Sequence, residues 1–347
     1  MKKASLVLYN NTVPNYFFKE PNNELSDDWQ QSWRKLKEDF KSLGIDLDTT
    51  DKNSINESSL ILFYDVPPKQ YFKSENQIWM LFLMEPKSIY PINYDKDKHY
   101  LFDFVFTWDP NFLVNKKYHL LPLSHNLKFN KEAITKEREF HAIIIAGFKK
   151  IFYKYELYSL RFKIIKWFSE NQPQLLHHYG RGWPKELRNI FLRQGIENRL
   201  PNLMKKVLKI FYKKNKVYKG EIDLKREVLS NYKFSFVIEN SCDQKGYVTE
   251  KIFDSFVCFS IPIYKGAPNI KELIPSDTFI AFDEFKDIES LNNHLTSMSE
   301  DEIKQYRKNI CNFLEDKNSF KSEYFSNKII EILKADNRSK NLFNGIL

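Results

Sequence analysis

A chain of 347 residues is long for one hydrophobic core and suits two domains of about 100–200 residues each. With 42% hydrophobic and 16% aromatic residues it has ample apolar surface to bury, which excludes global disorder, and only 9 Gly and 14 Pro exclude collagen-like and low-complexity chains. The formal charge of +9 suits a polyanionic partner (a nucleotide, a nucleic acid or an anionic membrane face) without choosing among them.

The opening residues, Met1 to Asn10, read as a first buried strand over Ser5–Tyr9 rather than a secretory signal, so a cytoplasmic protein is expected. A helix follows from about Asp27 to Leu43. Trp29, Trp33, Leu36 and Phe40 give it one apolar face, with Ser26 to cap its start and Gly44 its end. Further strands are expected at Ser59–Tyr64, Ile78–Leu83 and Phe104–Thr107. The pairs Asp46/Asp48 and Asp95/Asp97 imitate a metal-binding Asp-x-Asp but fall in expected polar loops, where such pairs arise by chance; no metal is predicted.

The polar stretch Asn130–Glu139 sets a boundary near residue 138, dividing the chain into 1–138 and 139–347. Beyond it come a strand at His141–Ala146, a helix at Tyr155–Phe168 and a strand at Leu175–Tyr179, whose His177 and His178 lie near Arg181. The run Leu203–Lys219 reads as a basic amphipathic helix. Such a surface can rest on anionic lipid, although a solvated lysine face is the commoner arrangement. The strand Lys233–Ile238, helix Val248–Val257 and strand Ile261–Tyr264 form a βαβ unit, and Ile288 to Asn337 looks helical throughout. Alternating strands and helices predict an α/β fold with largely parallel sheets. Three cysteines without a Cys-x-x-Cys pair (Cys242, Cys258, Cys311) predict neither a disulfide framework nor a structural zinc site.

The chemistry concentrates in Phe234–Asp254. Glu239 and Asn240 end an apolar strand, and the following loop feeds a helix whose first turn carries Glu250 and Lys251. In open α/β sheets ligands bind at the carboxyl ends of strands, and a helix start with an adjoining lysine attracts phosphate. Glu250 has the wrong sign for phosphate but accepts from sugar hydroxyls. The bland alternative is that Thr249 caps the helix while Glu250 and Lys251 are merely solvated.

This stretch, with Ile261-Pro262-Ile263-Tyr264-Lys265-Gly266-Ala267-Pro268-Asn269-Ile270 after it, resembles the donor-binding signature of the family-10 glycosyltransferases, the α-1,3/4-fucosyltransferases. Tyr179-Gly180-Arg181-Gly182-Trp183 is more weakly similar to the segment opening that family's donor domain. The resemblance implies a GT-B architecture, two Rossmann-like domains facing a central cleft, with acceptor binding on 1–138 and GDP-sugar binding on 139–347. It also implies donor contacts from Glu239, Asn240, Tyr247, Glu250 and Lys251, with Arg181 on the diphosphate or else in a domain-interface ion pair. The loop Cys242-Asp243-Gln244-Lys245 departs from the family pattern. Leu81-Phe82-Leu83-Met84-Glu85-Pro86 resembles the segment bearing the family's catalytic base, which makes Glu85 the candidate, with Asp103 and Asp109 as fallbacks.

What the resemblance implies is inverting, metal-independent transfer of L-fucose from GDP-β-L-fucose to a glycan hydroxyl, without a cofactor. GlcNAc or Glc in α-1,3 linkage, within a surface polysaccharide or a lipid-linked O-antigen, is the expected acceptor. Two alternatives stand beside it: a GT-B enzyme using another nucleotide sugar, and a nucleic-acid-binding protein. The latter is disfavoured because the sequence shows no helix-turn-helix, zinc finger or RNA-recognition signature.

Overall fold

The computed structural model describes residues 1–8, 16–19, 28, 30–149, 151–183, 215–316 and 318–343. The first unit is built on β1 (Lys2–Leu8), α1 (Gln31–Ser42), β2 (Ile45–Thr49), β3 (Leu60–Tyr64), β4 (Ile78–Leu83), β5 (Phe104–Thr107) and β6 (Tyr118–Leu120). Its strands pair in parallel in the order β2-β1-β3-β4-β5-β6. β3 and β4 are nearly continuous apolar runs because both faces of the sheet are covered. Trp33, Leu36 and Phe40 of α1 lie on one face, and Trp79, Phe102 and Phe112 fill the other.

α1 stops where expected: Gly44 takes φ +68°, and its N–H donates to the Lys41 carbonyl at 3.1 Å. Its proposed start (Ser26, Asp27) and Trp29 lie outside the described residues. Asp46 and Asp48 sit in β2 rather than in a polar loop, and Asp48 pairs with Lys37 at 2.6 Å and Lys52 at 3.4 Å. β2 escaped the sequence reading because Ile-Asp-Leu-Asp-Thr alternates acidic with apolar residues, as an edge strand does.

The second unit contains β7 (Phe140–Ile145), α2 (Tyr158–Asn171), β8 (Leu176–Tyr179), β9 (Tyr218–Gly220), α3 (Lys225–Leu229), β10 (Tyr232–Ile238), α4 (Glu250–Val257), β11 (Ile261–Lys265), α5 (Ile270–Leu273) and β12 (Ile280–Ala281). They form a second parallel sheet, β12-β11-β10-β7-β8-β9. Of the run Leu203–Lys219, residues 203–214 lie outside the described residues, and Lys219 belongs to β9 rather than to a helix.

After α6 (Ile288–Ser297) and α7 (Glu300–Glu315) the chain crosses back to the first unit with α8 (Ser322–Ala335) and α9 (Lys340–Phe343). Phe325, Ile329 and Leu333, one stripe of α8, are buried in the same core as Trp33 and Leu36. Ser326 donates to Asp39 of α1 at 2.7 Å. The returning segment runs beside the outgoing connection, and the His125 N–H donates to the Phe320 carbonyl at 2.8 Å in a parallel bridge.

Candidate active site

In a parallel sheet every strand delivers its carboxyl end to one edge, so the residues after β3, β4 and β5 face those after β7 and β10. A cleft of about 270 Å³ opens between the units, lined by Glu85, His125, Asn240, Tyr247, Glu250 and Lys251, among others. Glu85 is the second residue after β4. Burial pushes its carboxyl above the ordinary value; Lys149 and Lys251 pull it down, and Glu250 adds to the upward push. Glu250 behaves oppositely: burial raises its carboxyl, but Lys251 and Lys225 outweigh this and hold it down at about 2.

Behind this surface lies a charge cluster that fixes the start of α4. The Glu239 carboxylate is fully buried and accepts from the Thr249 N–H at 2.8 Å, from the Thr249 hydroxyl at 2.8 Å and from Lys251 Nζ at 2.9 Å. Lys251 Nζ also donates to Thr249 Oγ1 at 2.7 Å and lies 3.7 Å from Glu250. Burial would lower the Lys251 pKa, but Glu239 and Glu250 raise it overall, so it stays cationic. Thr249 is the residue before the helix, yet its hydroxyl serves Glu239 instead of capping. The Asn240 amide is engaged on both sides, accepting from Arg161 at 3.1 Å and donating to Tyr247 Oη at 3.1 Å. Arg161 in turn donates to the Ile238 and Glu239 carbonyls, locking the end of β10.

A second cavity of about 420 Å³ adjoins on the other side of Glu250 and Lys251, and Gly147, Gly180, Arg181, Lys225 and Asp254 also line it. Gly180 is required there, since a Cβ would stand 1.9 Å from the Ala146 carbonyl oxygen. Glu250 and Lys251 thus belong to both cavities. The loop that departs from the family pattern, with the two residues after it, touches the first unit. Gln244 accepts from the Lys87 N–H at 3.0 Å and donates to Tyr94 Oη, and Tyr247 packs on Trp108 with ring centroids 5.1 Å apart. Gly246, at φ +82°, approaches so closely that a Cβ would lie 2.2 Å from the Trp108 carbonyl oxygen.

Of the residues singled out from sequence, Glu85, Asn240, Tyr247, Glu250 and Lys251 are gathered around one cleft. Glu239 lies beneath it, turned inward. Arg181 stands at the outer rim, 72% exposed and 3.1 Å from Asp223 of the same unit, so the domain-interface pairing is not formed. His178 is fully buried against the Ala146 carbonyl and His177 bonds Tyr232 Oη; both are structural. Asp103 is tied to Lys73 at 2.5 Å and to the Trp79 N–H at 2.7 Å, and Asp109 accepts from Asn111 N–H at 2.9 Å. Sequence reasoning missed His125, whose ring stacks on Phe253 and which burial lowers to about 4, and Lys225, 3.8 Å from both Glu250 and Asp254. Neither carried a local signal. Among the described residues no group of three His, Cys, Asp or Glu could hold a metal ion, and no helix is long and apolar enough to cross a membrane.

Residues 193–324 match the family model described as glycosyltransferase family 10 (fucosyltransferase), C-terminal part. Among curated proteins the chain is similar to a putative fucosyltransferase-like protein of Arabidopsis thaliana, 45% identical over 71 residues, which is 20% of this chain and 14% of that protein. It is also similar to the alpha-(1,3)-fucosyltransferase FucT of Helicobacter pylori, 37% identical over 71 residues, 20% of this chain and 15% of that protein. The matched stretch therefore spans well under a fifth of either relative. In fold, the chain resembles a crystal structure of an alpha1,3-fucosyltransferase (TM-score 0.50, 13% identity, 97% of this chain and 91% of that one). It likewise resembles an alpha-glucosyltransferase in complex with UDP and a 13-mer DNA (TM-score 0.59, 11% identity, 96% and 99%). The architecture is GT-B.

Proposed function

We propose that the protein is an inverting fucosyltransferase that moves L-fucose from GDP-β-L-fucose to a glycan hydroxyl. The observation that carries this reading is the sharing of Glu250 and Lys251 by two adjoining cavities, one walled by the second unit and the other facing Glu85 of the first. The nucleotide occupies the 420 Å³ cavity and the acceptor enters the 270 Å³ cleft, so the anomeric carbon lies at their junction. The family match and the fucosyltransferase names of the relatives support a fucosyl donor.

Glu85 takes the acceptor proton as the hydroxyl attacks, a task suited to a carboxylate whose pKa is raised toward the working pH. The bond from the anomeric carbon to the diphosphate oxygen breaks on the opposite face, which inverts the configuration and gives an α-fucoside. Charge then grows on the departing GDP. Lys251 commits two of its three N–H groups to Glu239 and Thr249, and the third is left for a phosphate oxygen; Arg181 and the first amides of α4 supply further donors. Glu250 accepts from fucose hydroxyls, with Asn240 and Tyr247 shaping the wall. This assignment makes the transfer metal-independent, so turnover should persist in EDTA.

The acceptor is read as GlcNAc or Glc, fucosylated in α-1,3 linkage within a lipid-linked surface polysaccharide or O-antigen. The proposed place of work is the cytoplasm, peripherally against an anionic membrane face, with which the net charge of +9 is compatible. Titration calorimetry with GDP and UDP tests the donor: GDP should bind at least tenfold more tightly, and equal or reversed affinities would move the protein to another nucleotide sugar.

A further inference from the structure

The turn that carries Glu85 is gripped by a second, wholly buried carboxyl group that plays no part in the scheme above. Asp65 follows β3 immediately, on the neighbouring strand to the one that Glu85 follows, and it adopts φ +66°, a left-handed conformation that few residues other than Gly, Asn and Asp tolerate. One oxygen, Oδ1, accepts three hydrogen bonds, from the Met84 N–H at 2.6 Å, the Glu85 N–H at 3.1 Å and Asn93 Nδ2 at 2.6 Å. Asn93 Nδ2 also donates to the Glu85 carbonyl at 3.2 Å. The peptide groups on either side of the Glu85 Cα are therefore held by one buried pair, Asp65 on the N–H and Asn93 on the C=O. Further anchors complete the clamp: Asn93 Oδ1 accepts from the Val66 N–H at 3.0 Å, and Trp108 Nε1 donates to the Met84 carbonyl at 3.1 Å.

Asp65 is 1% exposed, its Oδ2 has no hydrogen-bond partner, and burial pushes its carboxyl up to about 7. The charged and titratable groups around it are Glu85, Tyr90 and Tyr94. What the site demands is an oxygen able to take three converging donors at a left-handed backbone position, and only Asp or Asn supplies both.

We propose that Asp65 is a positioning residue for the transfer reaction: through the Glu85 backbone it sets where the Glu85 carboxylate stands relative to the acceptor hydroxyl, with Asn93 as its partner. The inference rests on the reading of Glu85 as base, and the experiment separates the two. Turnover is measured with GDP-fucose and N-acetyllactosamine, with hydrolysis of GDP-fucose by water as an acceptor-independent readout, and GDP affinity is measured in parallel. Asp65→Ala should lower kcat about 100-fold, the scale expected when a reacting group is misplaced by about 1 Å, and leave GDP affinity unchanged. Its acid limb of kcat/KM should move to lower pH, because a loosened turn exposes the Glu85 carboxylate. Asp65→Asn, which keeps the accepting oxygen, should restore kcat to within a few-fold. If Asp65→Ala does not fold, Asn93→Ala carries the same expectation, since it frees the Glu85 carbonyl. Normal kcat in Asp65→Ala or Asn93→Ala, or an Asp65→Asn as impaired as Asp65→Ala, overturns the assignment. Glu85→Gln is run alongside: an inactive Glu85→Gln with a fully active Asp65→Ala sinks the positioning role alone, whereas an active Glu85→Gln sinks the base and what Asp65 holds with it.

Discussion

The two faces of the cleft hold their carboxylates by different means, and the difference separates their roles. On the first unit, Glu85 is fixed through its backbone; among the described residues its carboxyl forms no ion pair, and its pKa rises with burial. On the second, Glu239 and Glu250 are fixed through their charges, by Lys251 and Lys225, and Glu250 is held down at about 2. A carboxyl raised toward the working pH can exchange a proton, whereas one held far below it can only accept hydrogen bonds. Paired groups pushed apart in this way are how a single site assigns a base and a binding residue.

The most severe way to break this contrast is Glu85→Gln. Turnover should fall by 10³-fold or more while calorimetry finds GDP binding intact; retained turnover would place the base elsewhere. Lys251→Ala attacks the opposite face and should do two things at once. Turnover and donor affinity should both drop, with turnover down about 100-fold, and urea unfolding should show a loss of about 3 kcal/mol, because the buried Glu239 carboxylate is left without its cation. Unchanged kinetics would remove Lys251 from the diphosphate.

A subtler test uses pH. On the proposed assignment Glu85 acts deprotonated, and its pKa is raised, so kcat/KM should fall as pH drops through a value above that of an ordinary glutamate. Glu250→Gln removes a neighbouring negative charge and should shift that limb to lower pH; an unmoved limb would uncouple the two faces. The smallest effect belongs to Arg181→Ala, about two- to fivefold on donor KM, since a pair so exposed contributes little. A loss as large as that of Lys251→Ala would show that Arg181 swings inward once donor is bound.

Much of this was legible in the sequence, and the gaps share a cause. β3, β4, β5 and the βαβ unit announce themselves as apolar runs bounded by turns; the rule that ligands gather at strand ends and helix starts pointed to Asn240 and Glu250, and the family resemblance to Glu85. The same rule applied to Tyr64-Asp65 would have found Asp65, which was passed over. For Glu239 the sequence places a residue at a strand end without saying which way its side chain turns, and here it turns inward onto Lys251. The return of α8 left no local trace: the spacing of Phe325, Ile329 and Leu333 identifies an apolar stripe but not the helix it will cover.

That return has a mechanical consequence. The halves are joined twice, by the outgoing connection and by the segment leading into α8, and the two crossings lie side by side, hydrogen-bonded at His125 and Phe320. A pair of leaves pinned at neighbouring points turns about one line and resists twisting about others. Any widening of the gap would follow that arc, with His125 on the pin and Glu85 carried along the sweep.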